Sequence, residues 1–201
     1  MFSPKDHVLE RGWPGLIDGD RVIQLAAQTL QSFFTGGGTA REHAQYPLAD
    51  VVYRAPVLHP PSVRMFDGDD FVFANPASIH GPDDVVHIPE GAACIEPVLR
   101  VAAIVGAAGT IGGYTLMNDW NAPDLKGTKS RDFAISLGPV VVTPDEVEPA
   151  LDGLFARAAQ NTRLVPGDVI AAPGERAGMV RSGDVVELSL PPFGTLRNPV
   201  A

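Results

Sequence analysis

The chain has 201 residues, enough for one domain or one domain with a small addition, and its 45% hydrophobic share supports a core without disulfide staples. Its 24 acidic side chains outnumber 15 basic ones, giving a formal charge of −9 that argues against a nucleic-acid partner, because that needs lysine and arginine to displace counterions. The single cysteine, Cys94, rules out an intramolecular disulfide framework and suits a reducing compartment.

The N-terminal residues lack the basic-then-apolar layout of a signal peptide, and apolar runs such as Val101 to Ala108 are far short of a membrane span. A cytoplasmic protein with no membrane contact is expected. The 21 glycines and 19 prolines, spread among short apolar runs, predict a β-rich body with many turns.

In chain order, Asp20 to Phe34 is predicted as a helix. Val22, Ile23, Ala26, Leu30, Phe33 and Phe34 recur at helical spacing, Asp20 can cap the start, and Gly36-Gly37-Gly38 ends it. Thr39 with Glu42 resembles a capping box and predicts a second short helix. Residues 1–48 therefore read as a small helical N-terminal appendage, and 49–201 as the main domain. Val51 to Tyr53, Val57 to His59, Phe71 to Ala74 and Val85 to Ile88 read as short strands. Glu96 to Gly106, Thr115 to Asp119 and Ser136 to Thr143 read as longer ones. Thr143-Pro144-Asp145-Glu146 predicts a helix start, with Val147, Leu151, Leu154, Phe155 and Ala158 as its apolar face, although the part before Ala150 also reads as loop. Pro166-Gly167-Asp168-Val169 and Ser182-Gly183-Asp184-Val185 are turns leading into strands.

The most distinctive stretch runs from Gly113 to Glu146, GYTLMNDWNAPDLKGTKSRDFAISLGPVVVTPDE. It resembles the signature of the fumarylacetoacetate hydrolase superfamily. The order of other pieces extends the resemblance from about Leu48 to the C-terminus: Ala55-Pro56-Val57 with Pro60 to Arg64, Asn75 to Asp84, Val101 to Gly106, Leu164 to Ile170, and Ser182 to Asn198. The resemblance implies a mixed β-sheet roll of β-rich α+β class, a homodimer, and chemistry on a small oxo acid or 1,3-dicarbonyl compound such as an acylpyruvate. C–C hydrolysis, decarboxylation and tautomerisation are the implied reactions. It also implies Mg²⁺ or Mn²⁺, held by two Glu at i and i+2 on a strand and by an Asp. Alternate strand residues share a face, and these hard cations take oxygen ligands.

On this resemblance Asp119 is the metal-ligating Asp and Lys129 the substrate cation, with Arg100 and Trp120 facing the substrate. Aligned on Val101 to Gly106, however, the two Glu positions fall on Val98 and Arg100. Glu96 is the remaining acidic candidate for the metal, about 6.6 Å back from Val98 at ~3.3 Å per residue. His59 is the general-base candidate by position. The departures continue: Pro123 stands where the family carries Arg, Ala171 to Gly174 replaces a Gly-Thr turn, and the dozen residues from Met65 to Pro76 leave no room for a lid helix.

The residues also admit plainer roles. Asp119 can be a turn carboxylate or pair with Arg100, whose guanidinium would then fill the volume a metal neutralises elsewhere. Lys129 can be a solvated lysine, and Asp67, Asp69 and Asp70 a solvated turn. His80 and His87 flank a polar turn whose spacing fits no zinc pattern, and Cys94 reads as a small buried hydrophobe. Two functions therefore stand side by side: an oxo-acid enzyme with an incomplete metal site, and a catalytically degenerate homologue that binds a small anion or a partner protein.

Overall fold

The computed structural model describes residues 1–147 and 151–201. The strands and helices are, in chain order, β1 (Phe2–Pro4), β2 (Gly15–Asp18), β3 (Arg21–Leu25), α1 (Leu30–Thr35), β4 (Glu42–Pro47), β5 (Val51–Tyr53), β6 (Val63–Asp67), β7 (Asp70–Ala74), β8 (Ile79–His80), β9 (Glu96–Val105), β10 (Ile111–Asn121), β11 (Ile135–Val142), α2 (Asp152–Ala159), β12 (Val169–Ala171), β13 (Glu175–Arg176), β14 (Val185–Ser189) and β15 (Thr195–Pro199). The body is one mixed sheet in the order β7-β6-β12-β9-β10-β11-β8, with β13 added to β9. The β6–β12 and β8–β11 pairs are parallel and the other neighbours antiparallel. This is the mixed, β-rich roll that the sequence implied.

The centre of the sheet is buried on both sides, so β9 reads as an almost continuous apolar run rather than an alternation. One face packs Ala102, Met117, Ile135 and Leu137 against Val63, Met65, Val169 and Ala171. The other packs Ala103, Tyr114, Leu116 and Val142 against Leu151, Phe193 and Leu196, with Leu154 and Phe155 of α2 beside them. A third cluster gathers Val86, Ile95, Trp120, Ala134 and Leu188 beneath the C-terminal strands.

The N-terminal part corrects the predicted helices. Arg21 to Leu25 is strand β3 between β2 and β4, and the helix is only the six residues of α1. Thr29, not Asp20, is its cap: the Thr29 hydroxyl accepts from the Ser32 N–H, and the Ser32 hydroxyl accepts in return from the Thr29 N–H. The second predicted helix, from Thr39, is instead strand β4. Residues 1–48 thus carry four strands and one short helix rather than two helices. They are tied to the main body by β1 pairing with β5, and by Phe34 packing on Val57 and Ile104.

Elsewhere Val57 to His59 forms no strand, and Val85 to Ile88 contributes only a bridge from Val86 to Val200. The predicted helix start at Thr143 is a turn. Residues 148–150 lie outside the described residues, and α2 follows with Leu151, Leu154, Phe155 and Ala158 facing the core as the spacing indicated. Among the described residues no helix is long and apolar enough to cross a membrane.

Candidate functional site

Strand register builds the site. In the β9–β10 pair, Val98 lies opposite Asp119 and Arg100 opposite Met117, so Val98, Arg100 and Asp119 share one face. Arg176 of β13 pairs with Val98 from the other side. Over this face folds the β6–β7 hairpin, closed by a two-residue turn with Gly68 at φ 73°. That turn stands where the sequence left no room for a lid, and it delivers Asp67 to the site.

Arg100 is 2% exposed, and each nitrogen of its guanidinium donates at least one hydrogen bond to a protein oxygen. Nε donates to Asp119 Oδ2 at 3.2 Å, and Nη1 donates to the Phe66 and Ala172 carbonyls, each at 2.8 Å. Nη2 lies 3.2 Å from Asp67 Oδ1 and 3.1 Å from Asp119 Oδ2. Arg131, partly exposed, caps the cluster with contacts of 3.6 Å to Asp119 Oδ2 and 3.5 Å to Asp67 Oδ2. Two arginines and two aspartates thus neutralise one another. Asp119 is fully buried, and its second oxygen, Oδ1, has no hydrogen-bond donor among the described residues. Burial pushes its pKa above the usual carboxylate value, while Arg131 and then Arg100 pull the other way.

The remaining candidates are not gathered here. Glu96 shares the face but is ion-paired with Arg176 and accepts from Asn121 Nδ2 at 3.4 Å. Trp120 lies on the opposite face from Asp119, fully buried, its Nε1–H donating to Ser136 Oγ at 2.9 Å. Burying 150–250 Å² of tryptophan at ~25 cal/mol per Å² stabilises by about 4–6 kcal/mol, so core packing accounts for its presence. Lys129 sits on the 3-10 turn Gly127–Ser130, 77% exposed, and pairs with Asp132 at 2.7 Å. His59 is exposed, and its carbonyl accepts from Gln31 Nε2 at 3.3 Å. Asp67 and Arg131 are the site members that the sequence did not single out. Asp67 read as part of a solvated turn, and nothing local marks Arg131.

The metal implied by the resemblance does not fit these residues. At the three positions that would ligate it stand an aliphatic side chain, a guanidinium and one carboxylate, and that carboxylate's Oδ2 is already shared by two arginines. Among the described residues no group of three or more His, Cys, Asp or Glu is placed to hold a metal ion. The turn after β12 tightens the arrangement. A Cβ on Gly174 would lie 2.6 Å from Arg100 Cγ and 2.8 Å from the Leu99 carbonyl oxygen. Gly174→Ala is therefore expected to destabilise the protein by about 1–3 kcal/mol in urea unfolding, through overpacking against a backbone that cannot yield.

No family model matches the chain. Protein Rv2993c of Mycobacterium tuberculosis is 26% identical over 214 aligned positions, covering 77% of this chain and 80% of that protein. Among solved structures, the 5-carboxymethyl-2-hydroxymuconate delta-isomerase of Mycobacterium smegmatis superposes with a TM-score of 0.77 at 22% identity, over 100% of this chain and 97% of the other. The maleylpyruvate hydrolase of Sphingobium sp. SYK-6 superposes at 0.81 and 21% identity, over 96% and 97%. With these likenesses spanning nearly the whole chain, and with the segment from Gly113 to Glu146 forming β10, β11 and the loop between them, the fold is that of the fumarylacetoacetate hydrolase superfamily.

Proposed function

We propose that this chain is a catalytically degenerate homologue of the oxo-acid enzymes that share its fold, one in which an internal arginine has replaced the metal ion and the retained role is binding a small anion or a partner protein. The observation that carries this reading is the engagement of all three Arg100 nitrogens by the protein itself. A guanidinium has five N–H donors, and here four hydrogen bonds and one further ion-pair contact at 3.1 Å engage all three of its nitrogens with protein oxygens. None of the three nitrogens is without a protein oxygen beside it, and the side chain is buried. Its charge is spent on Asp119 and Asp67, as a divalent ion's would be on its ligands. A maleylpyruvate hydrolase of the same fold has been crystallised with manganese and pyruvate, and the donor set that such an ion needs is what this site lacks.

A second reading has its own support. The raised pKa of Asp119, with Oδ1 lacking a donor, is the environment of a proton-transferring carboxyl group. That would suit metal-independent tautomerisation of a small oxo acid, with Arg131 as the neighbouring cation.

Calorimetric titration with Mg²⁺ and Mn²⁺, run beside an absorbance assay for acylpyruvate loss, separates the readings. The first predicts no metal binding and no turnover at high enzyme concentration. Metal-free turnover that disappears in Asp119→Ala would replace it with the second. Metal-dependent turnover would overturn both.

A further inference from the structure

The opposite face of β6 carries a second arginine that the site above does not use. Alternation turns Arg64 and Phe66 away from Asp119, and β7 sets Phe73 opposite Arg64 and Phe71 opposite Phe66. Arg157 and Ala158 of α2, with Gln160 to Thr162 after it, close over these rings and leave a cavity of about 310 Å³.

Arg64 lines this cavity yet is only 6% exposed. One edge of its guanidinium is held: Nη1 donates to Ser62 Oγ at 2.8 Å and lies 3.7 Å from Asp168 Oδ2. The Ser62 hydroxyl donates in turn to Asp168 Oδ1 at 2.7 Å. The other edge, Nε with Nη2, has no acceptor among the described residues, and Nε is fully buried. The phenyl groups of Phe73 and Phe71 flank the guanidinium carbon at 5.3 and 5.8 Å from their centroids. Arg157 adds a half-exposed cation at the rim, 3.7 Å from Asp70, the one carboxylate among the described residues that line the cavity.

A largely buried guanidinium whose Nη2 has no acceptor among the described residues is costly to keep, and the partner that matches its charge and donor is a carboxylate. The volume lies at the lower end of the ~300–1,000 Å³ of small-molecule sites, too small for a nucleotide-sized ligand. The aromatic walls favour a flat body. We infer that the cavity between the β6–β7 hairpin and the end of α2 binds a small, flat carboxylate, with the Nη2 end of the Arg64 guanidinium as its anchor and Phe71 and Phe73 as its walls. This site lies on the other side of the sheet from Asp119 and stands whether or not the reading of Arg100 holds.

Benzoate is the probe, followed by calorimetry and by amide chemical shifts, with benzyl alcohol and acetate as controls. Wild type should bind benzoate saturably with a dissociation constant in the millimolar range or tighter, shifting the β6, β7 and α2 amides, and should bind both controls more weakly. Arg64→Gln should lose at least tenfold in affinity. Phe73→Ala, at a side chain 68% exposed and so safe for folding, should lose several-fold. Asp119→Asn should bind as wild type does. Absence of saturable benzoate binding to wild type, equal binding of benzyl alcohol, or undiminished binding in a folded Phe73→Ala variant overturns the inference.

Discussion

Arg100→Met is expected to lower stability by about 3–5 kcal/mol at neutral pH, the usual consequence of removing one partner from a buried ion pair. The substitution leaves the Phe66 and Ala172 carbonyls without their donor and leaves the Asp119 carboxylate facing only Arg131 at 3.6 Å. The sign of the pH dependence follows from Asp119. Burial raises its folded pKa above the unfolded value, so the folded chain holds that proton more tightly than the unfolded chain does. Its contribution to stability is fully present below the unfolded carboxylate pKa and is lost as pH rises through the raised folded value. Removing Arg100 takes away one of the two cations that limit this rise. The deficit of Arg100→Met should therefore grow with pH across that window. A second change, Asp119→Asn, supplies a neutral isostere of the protonated acid and should recover much of the loss at pH 7 while flattening the pH dependence. Urea unfolding of the two single variants and the double variant at several pH values tests this. An Arg100→Met loss below about 1 kcal/mol, flat in pH, would mean that the arginine does not hold the cluster together.

Much of this site could be read from the chain because it rests on strand register. Val98, Arg100 and Asp119 fall together once β9 and β10 are paired, and the apolar run from Val101 marks β9 unmistakably. The same alternation shows why Trp120 stands apart from Asp119: neighbours in a strand point to opposite faces, so adjacency in sequence separates them in space. Asp67 was hidden because its meaning is tertiary. It reads as one of three aspartates around Gly68, and only the hairpin's fold over β9 brings it to an arginine 33 positions away. Arg131 gave no local signal at all.

The N-terminal region misled for a different reason. Val22, Ile23, Leu30, Phe33 and Phe34 keep helical spacing across two unlike elements, β3 and α1, because both present apolar residues to the same body. The adjacent buried pair Val22–Ile23 was the clue to a strand covered on both faces. Its partners β2 and β4, however, lie on either side in sequence, β2 only four residues long and β4 largely polar, and neither shows a clear strand pattern. Lys129 and Asp132, three residues apart, form a local pair on a tight turn, which is the plain alternative to a substrate cation.

The pair Val98→Glu with Arg100→Glu tests the central replacement in the opposite direction. Position 98 lies directly across from Asp119, where facing Cβ atoms stand about 4.5–5.5 Å apart, and position 100 follows on the same face. The introduced carboxylates would join Asp119 and Asp67 in a cluster with Arg131 as its nearby cation. In the absence of metal this variant should be less stable than wild type. Four acids then repel one another in a buried site, and the Phe66 and Ala172 carbonyls lose their donor. Mn²⁺ should reverse the loss, because a hard divalent ion takes such oxygens as ligands. At a free Mn²⁺ concentration one hundred times its dissociation constant, binding adds about 2.7 kcal/mol to stability. The expected result is a thermal midpoint that rises with Mn²⁺ in the variant and stays fixed in wild type, matched by calorimetric binding in the variant alone. If the variant folds and still ignores Mn²⁺, Arg100 does not occupy an ion's place, and the degenerate-site reading loses its physical basis. If it is unfolded at every Mn²⁺ concentration, the single change Arg100→Glu, which keeps Val98 in the core, carries the same comparison.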